Sequence, residues 1–204
     1  MLAIYLIITL TALISITAFN RRHIFDKLRF NAYAIKHEKQ TWKFFTYAFL
    51  HADWVHLLIN MFVLYSFGNV VMAYLIYFFG FKGIMYFILL YVGGIIFSVL
   101  YDYGRNKDNA YYSAVGASGA VSAVVFASII IHPAGSIFLF FIPIPIPSIV
   151  FGILYLVYSA YMGRRNRDNT GHNAHFWGAV FGLIFIIVIR PEIIVEFLEK
   201  TGLK

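Results

Sequence analysis

Charge is what this 204-residue sequence has least of. Asp, Glu, Lys and Arg make up 12% of it, against 61% hydrophobic residues, where a soluble domain carries roughly 25% charged residues. So little charge cannot coat a water-facing surface, which excludes an ordinary soluble domain. Cysteine is absent. That removes disulfides, thiol nucleophiles and cysteine metal sites without fixing a compartment. Acidic residues number nine against sixteen Lys and Arg, a net +7. Because the basic residues sit in short loops, the excess points to anionic lipid headgroups and not to nucleic acid.

The charge that is present is segregated. No Asp, Glu, Lys or Arg occurs at 1–20, 54–81, 83–101, 109–163 or 169–189. A bilayer-spanning helix needs about 20 apolar residues, and the block 109–163 is long enough for two with a linker. The expectation is an all-α, polytopic membrane protein: a six-transmembrane-helix bundle occupying 1–204 as one unit. Its spans fall at about 2–19, 54–78, 83–101, 112–131, 148–162 and 173–189. A cleaved signal peptide in place of the first span would need a basic n-region and a small-residue cleavage site, and neither is visible. Pro133 ends the fourth span, since proline supplies no N–H, and a linker with Pro143, Pro145 and Pro147 leads to the fifth. Residues 20–43 mix seven Lys and Arg with Phe25, Leu28, Phe30, Tyr33 and Trp42, the composition of an element lying in the membrane interface. The last fourteen residues are expected as a polar tail. There is no internal repeat and no second domain.

Polar side chains inside spans are expensive and commonly functional. The second span holds His56 and Asn60, one turn apart on one helix face. The fourth holds Ser118 between Gly116, Ala117 and Gly119, with Ala114, Ala120 and Ala123 nearby. The sixth opens on Ala174 and His175 and continues through Gly178 to Gly182. Six spans alternate in direction, so spans two, four and six begin on the same face. At 1.5 Å per residue, all four polar residues then lie on the order of 5–10 Å below it.

That convergence suggests nucleophilic chemistry. A serine hydroxyl needs a base to take its proton, and imidazole is the usual one near neutral pH. A tetrahedral intermediate needs donors aimed at its oxyanion, which His56, Asn60 and the Ser118 N–H can supply. With no acid inside any span, the arrangement reads as a Ser118–His175 dyad and not a triad. Each feature alone has a plainer reading. Serine in a membrane helix usually bonds back to its own helix, a single intramembrane histidine is usually a helix contact, and Gly178 with Gly182 is a packing pair. It is their combination at one depth that favours a site.

At these residues the sequence resembles the rhomboid family of intramembrane serine proteases. His51, His56 and Asn60 match the histidine and asparagine signature of its second helix. Gly116, Ala117, Ser118 and Gly119 match its nucleophile motif, and Ala174, His175, Gly178 and Gly182 match its catalytic histidine motif. The resemblance implies Ser118 as nucleophile and His175 as general base, with His56, Asn60 and the Ser118 N–H as the oxyanion hole. Gly116 would let the loop pass close to substrate, and His51 would be structural. Residues 20–43 would be a membrane-embedded first loop, and span five the mobile element through which transmembrane protein substrates enter. No metal or cofactor is implied. Two positions depart from the family pattern. Its tryptophan–arginine pair is Trp42 and Lys43 here. The aromatic that many members carry one turn after the nucleophile is Ser122, so alignment of the His175 ring falls to another side chain, such as Phe176 or an aromatic of span two.

Loops 20–43, 102–111 and 163–172 hold 12 of the 16 Lys and Arg. Positive-inside counting would turn the site toward the cytoplasm. The resemblance implies an outward-opening site with both termini cytoplasmic, and that reading is followed here. The compact form is typical of bacterial members, so the expected location is a bacterial inner membrane. The alternative function is a non-catalytic six-span protein, either a rhomboid-like substrate binder or a transporter. Transporters usually show repeats or paired broken helices, which are absent.

Overall fold

A computed structural model describes residues 1–139, 142–165 and 171–202. Arg167, counted above among the loop charges, lies outside them. Helix α1 (Leu2–Phe19) leads into three short helices, α2 (Arg22–Leu28), α3 (Ala32–His37) and α4 (Lys43–Thr46), then a 3-10 turn at Tyr47–Phe49. The long helices α5 (Trp54–Phe79) and α6 (Lys82–Asn106) follow, then the short α7 (Ser118–Ile131). A hairpin of β1 (Ser136–Leu139) and β2 (Ile142–Pro147) leads to α8 (Ser148–Arg165), α9 (His172–Ile189) and α10 (Ile193–Thr201).

Among the described residues, four helices are long and apolar enough to cross a membrane: α1, α5, α6 and α9. The chain is an integral membrane protein of mainly helical structure. The fourth expected span differs. Residues 112–117 are not helical, and α7 has 14 residues, about 21 Å at the helical rise, against a hydrocarbon core of about 30 Å. It compensates by burial, for every residue from Gly119 to Ile131 is buried and α5, α6 and α9 pack around it. Helix α8 ends on Arg164 and Arg165 and carries three tyrosines, which sets it apart from the four strongly apolar helices.

Two expectations are corrected. The all-α reading misses the antiparallel β1–β2 pair, in which Ser136 faces Pro147 and Ile137 faces Ile146. Alternating isoleucine and proline at 142–147 cannot continue a helix, and a strand with one partner tolerates proline. The tail is also no mere tail. Ile193 of α10 is fully buried. The Arg190 guanidinium just before it pairs with Glu196 and the Tyr74 hydroxyl, and Lys200 Nζ donates to the Ile131 carbonyl at 3.2 Å. Apolar residues alternate with charges in this segment at helical spacing, which lets it dock as an amphipathic helix across the end of α7.

Candidate active site

The site is assembled from the interfacial segment upward. The last four carbonyls of a helix lack intrahelical partners, and in α2 each finds one. Phe25 O accepts from the Arg29 N–H. Asp26 O and Lys27 O accept from Lys43 Nζ at 3.0 and 2.8 Å, and Leu28 O accepts from the Thr46 hydroxyl at 2.7 Å. Lys43 Nζ also donates to Arg29 O at 3.2 Å. A cation at a helix C-terminus is favourable, and the compact ammonium places three donors on carbonyls that converge on one point, where a planar guanidinium fork would not fit as well. The lysine at this position is therefore matched to its partners.

The segment so fixed holds the strand that leads to Ser118. Phe30 and Ala114 exchange backbone hydrogen bonds of 2.9 and 3.1 Å. Asn31 Nδ2 donates to Ala110 O and Tyr112 O, while its Oδ1 caps α3. Lys36 pairs with Asp108. The Gly116 N–H donates to Tyr47 O at 3.1 Å.

Gly116 has φ +121°, a conformation for glycine, and a Cβ built there would lie 2.8 Å from His56 Cε1 and 3.0 Å from His56 Nε2. Ser118 Oγ is 3.7 Å from the same point. The imidazole of α5 and the hydroxyl that opens α7 therefore meet over one glycine. His56 is placed by its own helix start: the Asp53 side chain caps α5 by accepting from the His56 N–H at 2.8 Å. The ring Nδ1 accepts from the Ala52 N–H at 3.4 Å. That assigns the ring proton to Nε2, the nitrogen beside Gly116 and Ser118. Ser118 is the first residue of α7, so its N–H is among the orphan donors of a helix N-terminus. Asn60 is buried, and its amide donates to His56 O of its own helix at 2.9 Å, which uses one of its two N–H groups.

Helices α7 and α9 touch backbone to backbone. A Cβ at Gly178 would fall on Gly119 O, one at Gly182 on Ala123 O, and one at Gly119 would come 3.2 Å from Ala174 O. Ser118 and His175 are the chain neighbours of Gly119 and Ala174, so this contact brings the two candidate residues onto facing turns of α7 and α9. Among the described residues, no hydrogen bond joins the Ser118 hydroxyl to the His175 ring. Catalytic hydrogen bonds are commonly long before substrate binds and tighten in the reactive complex. Ser118, His56 and His175 are all half-buried.

A family model for the Rhomboid domain matches residues 38–192. The chain belongs to the rhomboid family. It is also 29% identical over 160 residues to RHOMBOID-like protein 12, mitochondrial, of Arabidopsis thaliana; the match takes in 71% of this chain and 45% of the relative. The rhomboid chain thus spans under half the length of that curated relative. All the candidate residues lie inside the matched segment, whereas α1, α2 and α3 precede it.

Three residues of this rhomboid's site went unread in the sequence. The His175 ring does not lean on an aromatic of α5. It faces Tyr155 of α8, with ring centroids 6.2 Å apart and planes 27° from parallel. Tyr155 in turn reaches Ser122 Oγ at 2.7 Å. Asp102, expected in a loop, lies on α6, which extends to Asn106. It is 3% exposed and accepts from Asn173 Nδ2 at 3.0 Å, two residues before His175. The third is Ser15 of α1. Its hydroxyl donates to Phe49 O at 2.7 Å and lies 3.0 Å from His51 Nδ1. With that hydroxyl proton engaged, His51 Nδ1–H is the donor, and the bare Nε2 has no partner among the described residues. Burial pushes the His51 imidazole down to about 3, and its ring stands 4.8 Å edge-on to His56. No period or spacing could have paired these residues, because each contact crosses between helices.

Proposed function

We propose that this rhomboid is an intramembrane serine endopeptidase that cuts a peptide bond in or near the transmembrane segment of membrane-protein substrates. The observation that carries the reading is the meeting of the His56 ring and the Ser118 hydroxyl over Gly116, at the start of a helix whose backbone touches the turn bearing His175. In this reading Ser118 Oγ attacks the scissile carbonyl carbon and its proton passes to a ring nitrogen of His175. The oxyanion takes hydrogen bonds from His56 Nε2–H and the Ser118 N–H, with the remaining Asn60 N–H as a third donor. His175 then returns the proton to the departing amine, leaving an ester on Ser118. Water, deprotonated by His175, hydrolyses that ester and frees the new carboxylate.

The same reading seats the protein as a six-span bundle. Helices α7 and α8 serve as the two spans beyond the four strongly apolar ones, and α7 completes its crossing with the extended 112–117 segment. The site opens outward. The expected bacterial inner membrane finds no support in the named relative, which is mitochondrial.

A fluorophosphonate serine probe tests the chemistry without a known substrate. Purified protein should label, and Ser118→Ala and His175→Ala should not. Labelling that persists in Ser118→Ala would refute the assignment. A wild type that never labels beside an active serine hydrolase control would favour the non-catalytic reading.

A further inference from the structure

We infer that Tyr155 is the positioning residue for His175, so that the base is aligned only while α8 is seated against α7 and α9. The inference rests on the reading of Ser118 and His175 as nucleophile and base. Among the described residues the His175 ring makes no hydrogen bond, so packing alone sets its plane. One of its neighbours, His172, meets it edge-on at 80°. Tyr155 is the near-parallel one, and an aromatic face against an imidazole limits rotation about the ring's last torsion.

Tyr155 is itself held at both ends. Its hydroxyl is bonded to Ser122 Oγ, and its ring lies 5.5 Å from Phe126 and 5.7 Å from Phe151. Ser122 is buried, so its hydroxyl would be costly without that partner. It stands four residues after Ser118, on the same face of α7. Ser122, Tyr155 and His175 thus tie three helices together, from the turn after the nucleophile to the base. A second contact between the same two helices lies one turn away, where Tyr158 meets His172 edge-on at 5.5 Å.

What makes this a coupling is the way α8 is attached. Its buried residues are all small: Ser148, Gly152, Ser159 and Gly163. Ile153, Leu154 and Val157 point outward and are more than half exposed. Beside the small buried residues, only Phe151, Tyr155 and Leu156 pack large side chains of α8 against the core, so its displacement costs less than that of α9, which interlocks with α7 backbone to backbone. If α8 moves, Tyr155 leaves the His175 ring.

The experiment is the rate of fluorophosphonate labelling across pH, in parallel with the thermal midpoint, for wild type, Ser118→Ala, Tyr155→Phe and Tyr155→Leu. Tyr155→Phe keeps the ring and loses only the hydroxyl tether, and is expected to stay within about fivefold of wild type. Tyr155→Leu loses the ring and should label about ten- to a hundredfold more slowly, at a similar midpoint. Its pH profile should also be flattened, because a misaligned base no longer controls the rate. A leucine variant within about twofold of wild type, or a phenylalanine variant as slow as the leucine one, overturns the inference while Ser118→Ala remains silent. Labelling of Ser118→Ala overturns the dyad itself and this inference with it. If Tyr155→Leu does not fold, Tyr155→Met fills the space without a ring and is held to the same two outcomes.

Discussion

Removing the Lys43 ammonium should loosen the interfacial segment and, through it, the strand that presents Ser118. Lys43 is 3% exposed, and its Nζ donates to three carbonyls at 2.8 to 3.2 Å. In Lys43→Met the stem is retained and those acceptors lose their partner, at about 1–3 kcal/mol for each that stays dry. Against this stands the relief of an ammonium no longer held out of water, itself several kcal/mol in a buried setting. Water can reach part of this loop, so the net loss should be about 3 kcal/mol. For a chain of this size each kcal/mol moves a thermal midpoint by about 2–4 °C, which gives a fall of about 6–12 °C. Thermal unfolding in detergent measures it, and limited proteolysis should show faster cutting between α1 and α5. Lys43→Arg should recover only part of the loss, since one guanidinium nitrogen cannot serve three carbonyls. A methionine variant that melts within about 2 °C of wild type, with an uncut loop, would refute the account of Lys43 as the cap of α2.

Two further outcomes follow from other parts of the molecule. The folded state holds His51 neutral, with its imidazole lowered from 6.5 to about 3 by burial. The stability this contributes is fully present above pH 6.5 and is lost as pH falls toward 3, at a slope of about 1.4 kcal/mol per pH unit. His51→Gln should show a shallower decline of thermal midpoint between pH 6.5 and 4; parallel curves would remove His51 from the account. The absence of cysteine also makes orientation directly readable. A single cysteine at Tyr111, 97% exposed in the segment between α6 and α7, should react with a membrane-impermeant maleimide from outside intact cells, and one at Phe81 should not. The reverse pattern would make the positive-inside count the correct guide.

Much of the fold was legible because hydrophobic runs report on solvent directly. Helices α1 and α5 begin and end within a residue of the expected spans, and α9 likewise. The misreadings share one cause. Residues 112–117 look like the first turns of a helix because they are uncharged, yet their backbone bonds go to Phe30 and Tyr47, far away in sequence. Asp102 looked like a loop residue because acids avoid lipid, but a carboxylate can stay on a helix where Asn173 from another helix receives it. The hairpin and α10 were hidden behind proline and charge, which mark the end of a span without saying what replaces it. Helix parity set His56, Asn60, Ser118 and His175 at one expected depth, and the structure brings the first and third of these together over Gly116. Tyr155 could not be found that way: fifteen tyrosines are what a membrane protein carries at its interfaces anyway, and nothing local marks the one that meets His175.

The burial of α7 on every side also bears on how the protein is made. A newly synthesised segment entering the bilayer must stand in lipid before its neighbours arrive, and α7 is too short to do so with both ends in water. Its serines and the bare donors at its N-terminus would face hydrocarbon. It becomes tenable only once α5, α6 and α9 enclose it, and α9 emerges late from the ribosome. Seating of the helix that begins at Ser118 is thus a closing event of assembly, and no partly inserted chain carries the completed cluster.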